Sequence, residues 1–276
     1  MNNPVFIIGA PRSGTNLLRN ILTSDSDFFT WDCDEINLIW LYDNFDRVSD
    51  RFTKIDLTPR KKQFIKQQFL KIEKISGNKL IVEKTCANSL RIDFIDGIFN
   101  DAKFIFIYRN GMDCISSTLI KRKAKFNLSY SFKKARYIPV ALLFKYFFKI
   151  KILNKSKHIS EWGIKTGINV DNILDDSINI WKQSIKHTLD DLDKIDDKRV
   201  YKLKYEDLVT QPIEEMEKMF SIFFKKRLTN STKEYINKNI FKSSLNKSRA
   251  NLDSYQYEYI HNKIINELKL LNYDEK

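Results

Sequence analysis

The sequence is poor in the residues that build flexible linkers and cross-linked scaffolds. Its 276 residues include only 7 glycines, 5 prolines and 3 cysteines. So few glycines leave little room for a hinge, and no Gly/Ser tract or internal repeat divides the chain, so one domain over residues 1–276 is the simplest prediction. The cysteines form no CxxC pair, which argues against a disulfide framework or a zinc knuckle and favours a reducing cytoplasm.

Long apolar runs are also missing. The N-terminus passes from a short apolar segment at 5–8 directly into a glycine-containing loop, without the cationic and apolar regions of a secretory signal. The most apolar later stretch, 138–153, is interrupted by Lys145, Lys149 and Lys151. Because a membrane span needs about 20 apolar residues, we expect a soluble protein.

Positive charge is in excess. The sequence has 48 lysines and arginines against 35 acidic residues, a net charge of +13. This excess favours an anionic partner, and phosphate, sulfate, nucleic acid or an acidic membrane surface would satisfy it, as would a solvated basic exterior without any partner. The hydrophobic content of 42% excludes disorder throughout.

Short apolar runs alternate with amphipathic helical patterns. One helix is predicted to start at Thr58, which can cap it, with Pro59 in the first turn and a stop at Gly77. The alternation predicts an α/β fold with a central, mainly parallel sheet flanked by helices. The predicted strands are 5–8, 80–82, 104–108 and 200–205.

A stretch rich in basic and aromatic residues covers about 121–171, and we call it the basic insertion. Lysine and arginine are interleaved with phenylalanine and tyrosine there. Nucleic-acid surfaces, helices at membrane interfaces and ordinary core helices share this composition. We favour a core helix first and a membrane-facing or acceptor-facing region second.

The most informative segment is a glycine loop after the first predicted strand. Gly9 and Gly14 are separated by four residues, and a helical pattern opens near Thr15. Glycines let successive N–H groups point inward, and the helix N-terminus adds a partial positive charge, so the pattern predicts an anion site. The spacing is that of GxxxxGK[ST], but Thr15 replaces its lysine and Asn16 its magnesium-binding hydroxyl.

The side chains of this loop suit an anion handled without a metal. Arg12 supplies a fixed cation with planar donors, and Ser13 and Thr15 supply hydroxyls. A tight turn between strand and helix, without a ligand, is the alternative interpretation.

A second candidate anion site follows the strand at 104–108. Arg109 comes directly after this strand and Ser117 lies eight residues further on. The first turns of a following helix would bring the Ser117 hydroxyl back toward the guanidinium. The two groups are therefore predicted to clamp one phosphate.

The two segments together resemble those of sulfotransferases that use 3′-phosphoadenosine 5′-phosphosulfate (PAPS), particularly the bacterial and tyrosylprotein-type branches. GAPRSGT at 9–15 is similar to the family's 5′-phosphosulfate-binding loop, and Arg109 with Ser117 to its 3′-phosphate site. The resemblance runs from residue 4 to about residue 250. It implies a P-loop-containing nucleotide-hydrolase-like fold, PAPS as co-substrate and no metal.

Three further segments follow the family order. VEKTCANS resembles the EKTPxN segment, which implies that Lys84 reaches the transferring sulfuryl group, although Cys86 replaces the usual proline. LKYEDL implies that Tyr205 lies near the adenine, with a core tyrosine at a strand end as the alternative. FKSSLNKS loosely resembles a loop that closes over the phosphates, which implies contacts from Ser244 and Lys247.

A general base is also implied. Tyrosylprotein-type members carry the base in a Cys-x-Glu setting, which points to Glu35, with Asp34, Asp32 or a merely dipole-stabilising acidic helix start as alternatives. The predicted catalytic residues are Glu35, Lys84 and Arg12. The predicted cofactor-binding residues are Arg12, Ser13, Gly14, Thr15, Asn16, Arg109, Ser117, Tyr205, Ser244 and Lys247.

The function implied is sulfuryl transfer from PAPS to an acceptor hydroxyl. We favour a carbohydrate or lipid-linked glycan as acceptor over a peptide tyrosine, since the basic insertion could rest on an anionic membrane face. The expected location is cytoplasmic, with peripheral contact at the inner face of the membrane and no nucleic-acid partner. A P-loop nucleotide kinase and a basic membrane-binding or nucleic-acid-binding module are the alternatives.

Overall fold

A computed structural model describes residues 2–33, 35–44, 47–123, 164–168, 170 and 172–273. Most of the basic insertion, from 124 to 163, lies outside the described residues, and so do Asp34 and His158. The predictions for these parts of the chain therefore stay predictions.

The centre of the fold is a five-stranded sheet in which every pairing is parallel. The strand order is β2-β3-β1-β4-β5, and Val5 of β1 lies opposite Val82 on one side and Lys103 on the other. This confirms the predicted α/β class, although β2 was not predicted. The strands are β1 (Val5–Ile8), β2 (Phe28–Phe29), β3 (Leu80–Lys84), β4 (Lys103–Tyr108) and β5 (Val200–Lys204).

Helices cover both faces of this sheet. Strand β1 is fully buried, as its uninterrupted apolar sequence requires at the centre of a parallel sheet. Phe6 and Ile8 belong to one core, which contains Trp40, and Val5 and Ile7 to a second core on the opposite face.

The described helices are α1 (Thr15–Thr23), α2 (Asn37–Trp40), α3 (Pro59–Ile75), α4 (Ile92–Ile98), α5 (Gly111–Lys123), α6 (Ile173–Leu192), α7 (Tyr205–Thr210), α8 (Pro212–Met219), α9 (Asn230–Asn239), α10 (Ser248–Asn251) and α11 (Ser254–Leu270). Short 3₁₀ segments lie at Lys54–Asp56, Cys86–Leu90, Asp197–Arg199 and Lys242–Ser244, and a π turn at Phe220–Phe224. None of the described helices is long and apolar enough to span a membrane.

Helix α3 shows the predicted start and stop. The Thr58 hydroxyl accepts a hydrogen bond from the N–H of Lys61, and Pro59 is the first helical residue. Gly77 follows the helix with φ 72°, a left-handed conformation that glycine adopts readily. The sequence therefore predicted the boundaries of this helix from local signals alone.

The topology brings the predicted site residues to one edge of the sheet. Because all strands are parallel, their carboxyl ends share an edge, which is where ligands bind in open α/β sheets. The glycine loop follows β1, Lys84 ends β3, Arg109 follows β4 and Tyr205 follows β5.

Candidate active site

The glycine loop makes a tight turn between β1 and α1. The N–H and the hydroxyl of Ser13 both donate to the Ala10 carbonyl, at 3.2 and 2.7 Å. Arg12 takes a left-handed φ of 70° and Gly14 a φ of 97°. A Cβ at Gly14 would lie 2.3 Å from Cδ2 of Tyr205, so glycine is required here both by conformation and by space.

The N-terminus of α1 suits an anion. In the described part of the chain no side chain caps this helix, and its first turn holds no acidic residue. The first N–H groups of a helix have no acceptor within it, and they carry the positive end of the dipole. The buried Oδ1 of Asn16 has no hydrogen-bond partner among the described residues, and rotation of its amide would present a donor instead. These groups fit the phosphosulfate end of a nucleotide.

Two residues at the end of β3 hold the predicted base. Glu35 Oε1 lies 3.2 Å from Lys84 Nζ and accepts a hydrogen bond of 3.3 Å from the N–H of Cys86. The side chain of Lys84 is 2% exposed and that of Glu35 27%. The Thr15 hydroxyl lies 3.8 Å from the sulfur of Cys86, so this pair adjoins the glycine loop.

The other acidic candidates are placed differently. Asp32 is an exposed residue, and Asp34 lies outside the described residues. Glu35 is bonded directly to Lys84. This contact supports Glu35 as the candidate base.

Arg109 is buried and donates several hydrogen bonds. It donates to Asp113 Oδ2 at 2.9 Å, to the Ser244 carbonyl at 2.7 Å and to the Arg12 carbonyl at 3.3 Å. Its guanidinium also lies 4.5 Å from the centre of the Tyr205 ring. Arg109 therefore joins the glycine loop to the C-terminal segment.

Ser117 has a different partner from the one predicted. Its hydroxyl accepts a hydrogen bond of 3.0 Å from Nε of Arg12. The guanidinium of Arg109 bonds instead to the three oxygens named above. The combined action of Arg109 and Ser117 on one phosphate stays a prediction, and the structure adds Arg12 to this group.

The remaining predicted residues lie beside the loop. Tyr205 is 6% exposed, and its hydroxyl donates to Ser244 Oγ at 2.9 Å. Ser244 is half-buried and Lys247 is exposed. Both belong to the segment that crosses the guanidinium of Arg109 on its way to α10.

Asp113 is a site residue that the sequence motifs did not predict. Its buried carboxylate accepts hydrogen bonds from Arg109, from the N–H of Asn246 at 3.0 Å and from the N–H of Ser248 at 2.9 Å. It therefore holds the C-terminal segment against the end of β4. The available signal was its i+4 spacing from Arg109 at a helix start.

The two described histidines, His187 and His261, lie outside the segments that form the site. His187 is half-buried on α6, where burial and the neighbouring Arg51 lower its pKa. His261 lies on α11.

Comparisons with known proteins agree with this geometry. The sequence model of the sulfotransferase family matches residues 4–140. No curated protein matches the chain by sequence.

Several solved structures share the fold. The sulfotransferase domain from the curacin biosynthetic pathway superposes with a TM-score of 0.59 at 15% identity, covering 96% of this chain and 98% of its own. Sulfotransferase STF9 from Mycobacterium avium gives 0.57 at 13% identity, with 98% and 77% covered. Mouse sulfotransferase SULT7A1 complexed with PAP gives 0.50 at 12% identity, with 96% and 84% covered.

The parallel sheet and the glycine loop before α1 define a P-loop-like α/β transferase fold. With the match over residues 4–140, the chain belongs to the sulfotransferase family. The predicted family and fold class are confirmed, while the tyrosylprotein-type branch stays a prediction.

Proposed function

We propose that this enzyme transfers a sulfuryl group from PAPS to an acceptor hydroxyl. The observation that carries the proposal is the contact of Glu35 with Lys84 and the Cys86 N–H, next to the uncapped N-terminus of α1. A proton acceptor and a buried cation thus lie beside an anion-binding loop. The mouse structure that shares this fold holds PAP, which supports a nucleotide of that type here.

Each residue has a role in the proposed transfer. Glu35 takes the acceptor's hydroxyl proton while the acceptor oxygen forms its bond to sulfur. The bond from sulfur to the 5′-phosphate oxygen breaks, and the electron pair leaves with the phosphate. Lys84, Arg12 and the loop N–H groups stabilise the negative charge that develops there. The protein supplies position and charge, as in phosphoryl transfer.

Arg109 and Tyr205 fit the other end of the nucleotide. Arg109 is held by Asp113 and by two carbonyls, so its orientation is fixed before a ligand arrives. Its buried Nε has no hydrogen-bond partner in the part of the chain that the structure describes, so it has a donor to offer the 3′-phosphate. Tyr205 stands between this guanidinium and Gly14, which suits a neighbour of the adenine.

Nucleotide binding tests the proposal against a P-loop kinase. We expect adenosine 3′,5′-bisphosphate to raise the melting temperature of the protein without any metal, because a ligand that binds the folded state stabilises it. ATP with magnesium serves as the comparison. Stabilisation by ATP and magnesium alone would contradict the proposal and favour the kinase.

The acceptor we propose is a hydroxyl of a carbohydrate or lipid-linked glycan. Its support is the sequence of the basic insertion, which suits an anionic membrane face. Transfer of radiolabelled sulfate from PAPS should label a cell-envelope glycan extract more than a tyrosine peptide. Labelling of the peptide alone would overturn this choice of acceptor and leave the transfer reaction intact.

A further inference from the structure

A buried polar network lies directly behind the Glu35–Lys84 pair, and it includes groups that the proposed reaction does not use. The strand β3 ends with Glu83 and Lys84, whose side chains leave the strand on opposite faces. Glu83 is 1% exposed, and Thr85 and Asn88 are fully buried. We call Glu83, Thr85 and Asn88 the Glu83 network.

Hydrogen bonds link this network to the chain beside the base. The Thr85 hydroxyl donates to Glu83 Oε1 at 2.6 Å and accepts from the N–H of Ile36 at 3.2 Å. Asn88 donates its side-chain N–H to Glu83 Oε2. The Thr85 hydroxyl has one hydrogen, and Glu83 accepts it, so its lone pairs are turned toward Ile36.

The effect is that residues 84 to 86 hold residues 35 and 36 at three points. Lys84 and the Cys86 N–H hold the carboxylate of Glu35, and Thr85 holds the backbone one residue further on. A carboxylate on a short loop has several rotamers and a mobile backbone, which a fixed attachment restricts. General-base catalysis is sensitive to such placement.

The cost of burying Glu83 argues for a specific role. Burial raises the pKa of Glu83 to about 7, although the Thr85 bond and the positive charge of Arg91 oppose this rise. Burying a carboxylate costs more free energy than burying an apolar side chain of similar size. Glu83 accepts two side-chain hydrogen bonds at this cost, and one of them fixes the direction of the Thr85 hydroxyl.

We propose that Thr85, oriented by Glu83, is a positioning residue that sets the backbone of Glu35 for proton transfer. This inference rests on the proposed function, since it assigns Glu35 as the proton acceptor. Neither Thr85 nor Glu83 is proposed to touch the substrate.

The test compares Thr85→Val with Thr85→Ser. Valine keeps the shape of threonine but leaves the Ile36 N–H and Glu83 without their shared hydroxyl, whereas serine retains that hydroxyl. With PAPS and a cell-envelope glycan extract, we expect T85V to lower the rate at saturating PAPS by ~10–100-fold, as for a misplaced catalytic group. The KM for PAPS and the affinity for PAP should stay within about twofold, because the anion-binding groups are untouched. T85S should restore most of the rate.

A second readout does not depend on activity. Backbone amide exchange at Ile36 should be faster in T85V than in the wild type and in T85S, since Thr85 no longer accepts that N–H. Glu83→Leu removes both acceptor oxygens at similar size and provides a second variant should T85V not fold, and we expect it to show the same separation of rate from PAP affinity.

Three results would overturn the inference: an unchanged rate in T85V, a rate and a PAP affinity that fall together, or unchanged exchange at Ile36. Absence of transfer by the wild type is distinguishable from these, because it contradicts the proposed function. The exchange at Ile36 then still decides whether Thr85 holds this segment.

Discussion

At the scale of single residues, the assignment of Glu35 can be tested against its neighbour Asp32. Glu35→Gln keeps an acceptor for the Cys86 N–H but removes the basicity. We expect the transfer rate to fall by about 10²–10⁴-fold, the usual contribution of a general base. PAP binding, measured by calorimetry, should change little because no phosphate contact is lost.

Asp32→Asn is the matched control, since it neutralises an acidic residue that is exposed. Its rate should stay near that of the wild type. Loss of activity in D32N together with retention in E35Q would reassign the base.

Cys86 occupies the position where the family pattern has proline. Having cysteine there supplies a backbone hydrogen bond that proline could not make. Its N–H donates to Glu35 at 3.3 Å, a bond that proline lacks. Thr85, which precedes it, has φ −130° and ψ 120°, a conformation that proline tolerates in its predecessor. Cys86→Pro therefore removes the donor without an evident steric conflict.

We expect Cys86→Pro to lower the transfer rate by about tenfold, the equivalent of one hydrogen bond to a charged group. Cys86→Ala keeps the N–H and should retain most of the rate, since burial raises the pKa of this thiol to about 12 and leaves it without nucleophilic character. Steady-state rates of the two variants at saturating PAPS make the comparison. Equal rates would show that the N–H is dispensable.

At the scale of elements, the start of α1 depends on Gly14. Gly14→Ala would place a Cβ 2.3 Å from the Tyr205 ring at a φ of 97°. We expect the melting temperature to fall and the PAP affinity to drop by at least about tenfold, because Tyr205 and the N-terminal turn must both move.

Gly77→Ala is the control for backbone strain alone. Its φ is 72°, but no atom of the described residues lies within 4 Å of the added Cβ. A left-handed alanine costs about 1–2 kcal/mol, so G77A should lose some stability and keep its PAP affinity. Equal PAP affinities in G14A and G77A would contradict the role given to the Tyr205 contact.

The elements that the sequence predicted correctly are those with strong local signals. Strand β1 is an uninterrupted apolar run, and β4 is one after its first residue, Lys103. Helix α3 has a cap, a proline and a glycine stop in the right order. Strand β2 has two residues, too few for any periodicity to appear. Its place in the sheet follows from pairing with β3, which is a tertiary effect.

The sequence predicted most residues of the candidate site, but it did not predict which of them bond to one another. Motifs at strand ends placed the glycine loop, Lys84 and Arg109 at one edge, because parallel strands share that edge. The bond that Arg12 donates to Ser117 and the two bonds that Asp113 accepts from the C-terminal segment join residues 105, 133 and 135 positions apart. Spacing along the sequence carries no information about such pairs.

At the scale of the whole molecule, one ion pair joins distant parts of the chain. Arg51 bonds to Asp191 of α6 through both carboxylate oxygens, and the same carboxylate accepts the N–H of Asp93 in α4. Burial is the largest influence and alone would raise the pKa of Asp191, but the hydrogen bond and charge of Arg51, with the bonds from Lys194 and the Asp93 N–H, together outweigh it and lower the pKa.

We expect Asp191→Asn to lower the free energy of unfolding at pH 7 by about 2–3 kcal/mol, less than for a fully buried pair because Arg51 is partly exposed. A lowered pKa stabilises the folded state above the unfolded value near 3.8, and this contribution is lost as the pH falls through the folded value. Denaturant unfolding measures this. The free energy of unfolding of D191N should be well below that of the wild type at pH 7 and closer to it at pH 3.

Asp190→Asn is the control, because Asp190 is the exposed neighbour on the same helix. Its stability should stay within about 0.5 kcal/mol of the wild type at both pH values. A D191N protein as stable as D190N at pH 7 would show that the pair contributes nothing.

The cations of the site are already paired within the protein, which changes how the overall charge bears on ligand binding. Lys84 forms an ion pair with Glu35, and Arg109 forms one with Asp113. These two pairs are neutral, so the five side chains that include Arg12 carry a net charge of +1. The excess of +13 therefore lies almost entirely elsewhere on the molecule. Within the site, a polyanionic nucleotide is then attracted mainly by fixed N–H dipoles at close range, and dissolved salt screens these weakly. The surplus lysines elsewhere attract the nucleotide at long range, where salt screens them strongly. Ionic strength should thus act on how fast the nucleotide arrives more than on how firmly it is held.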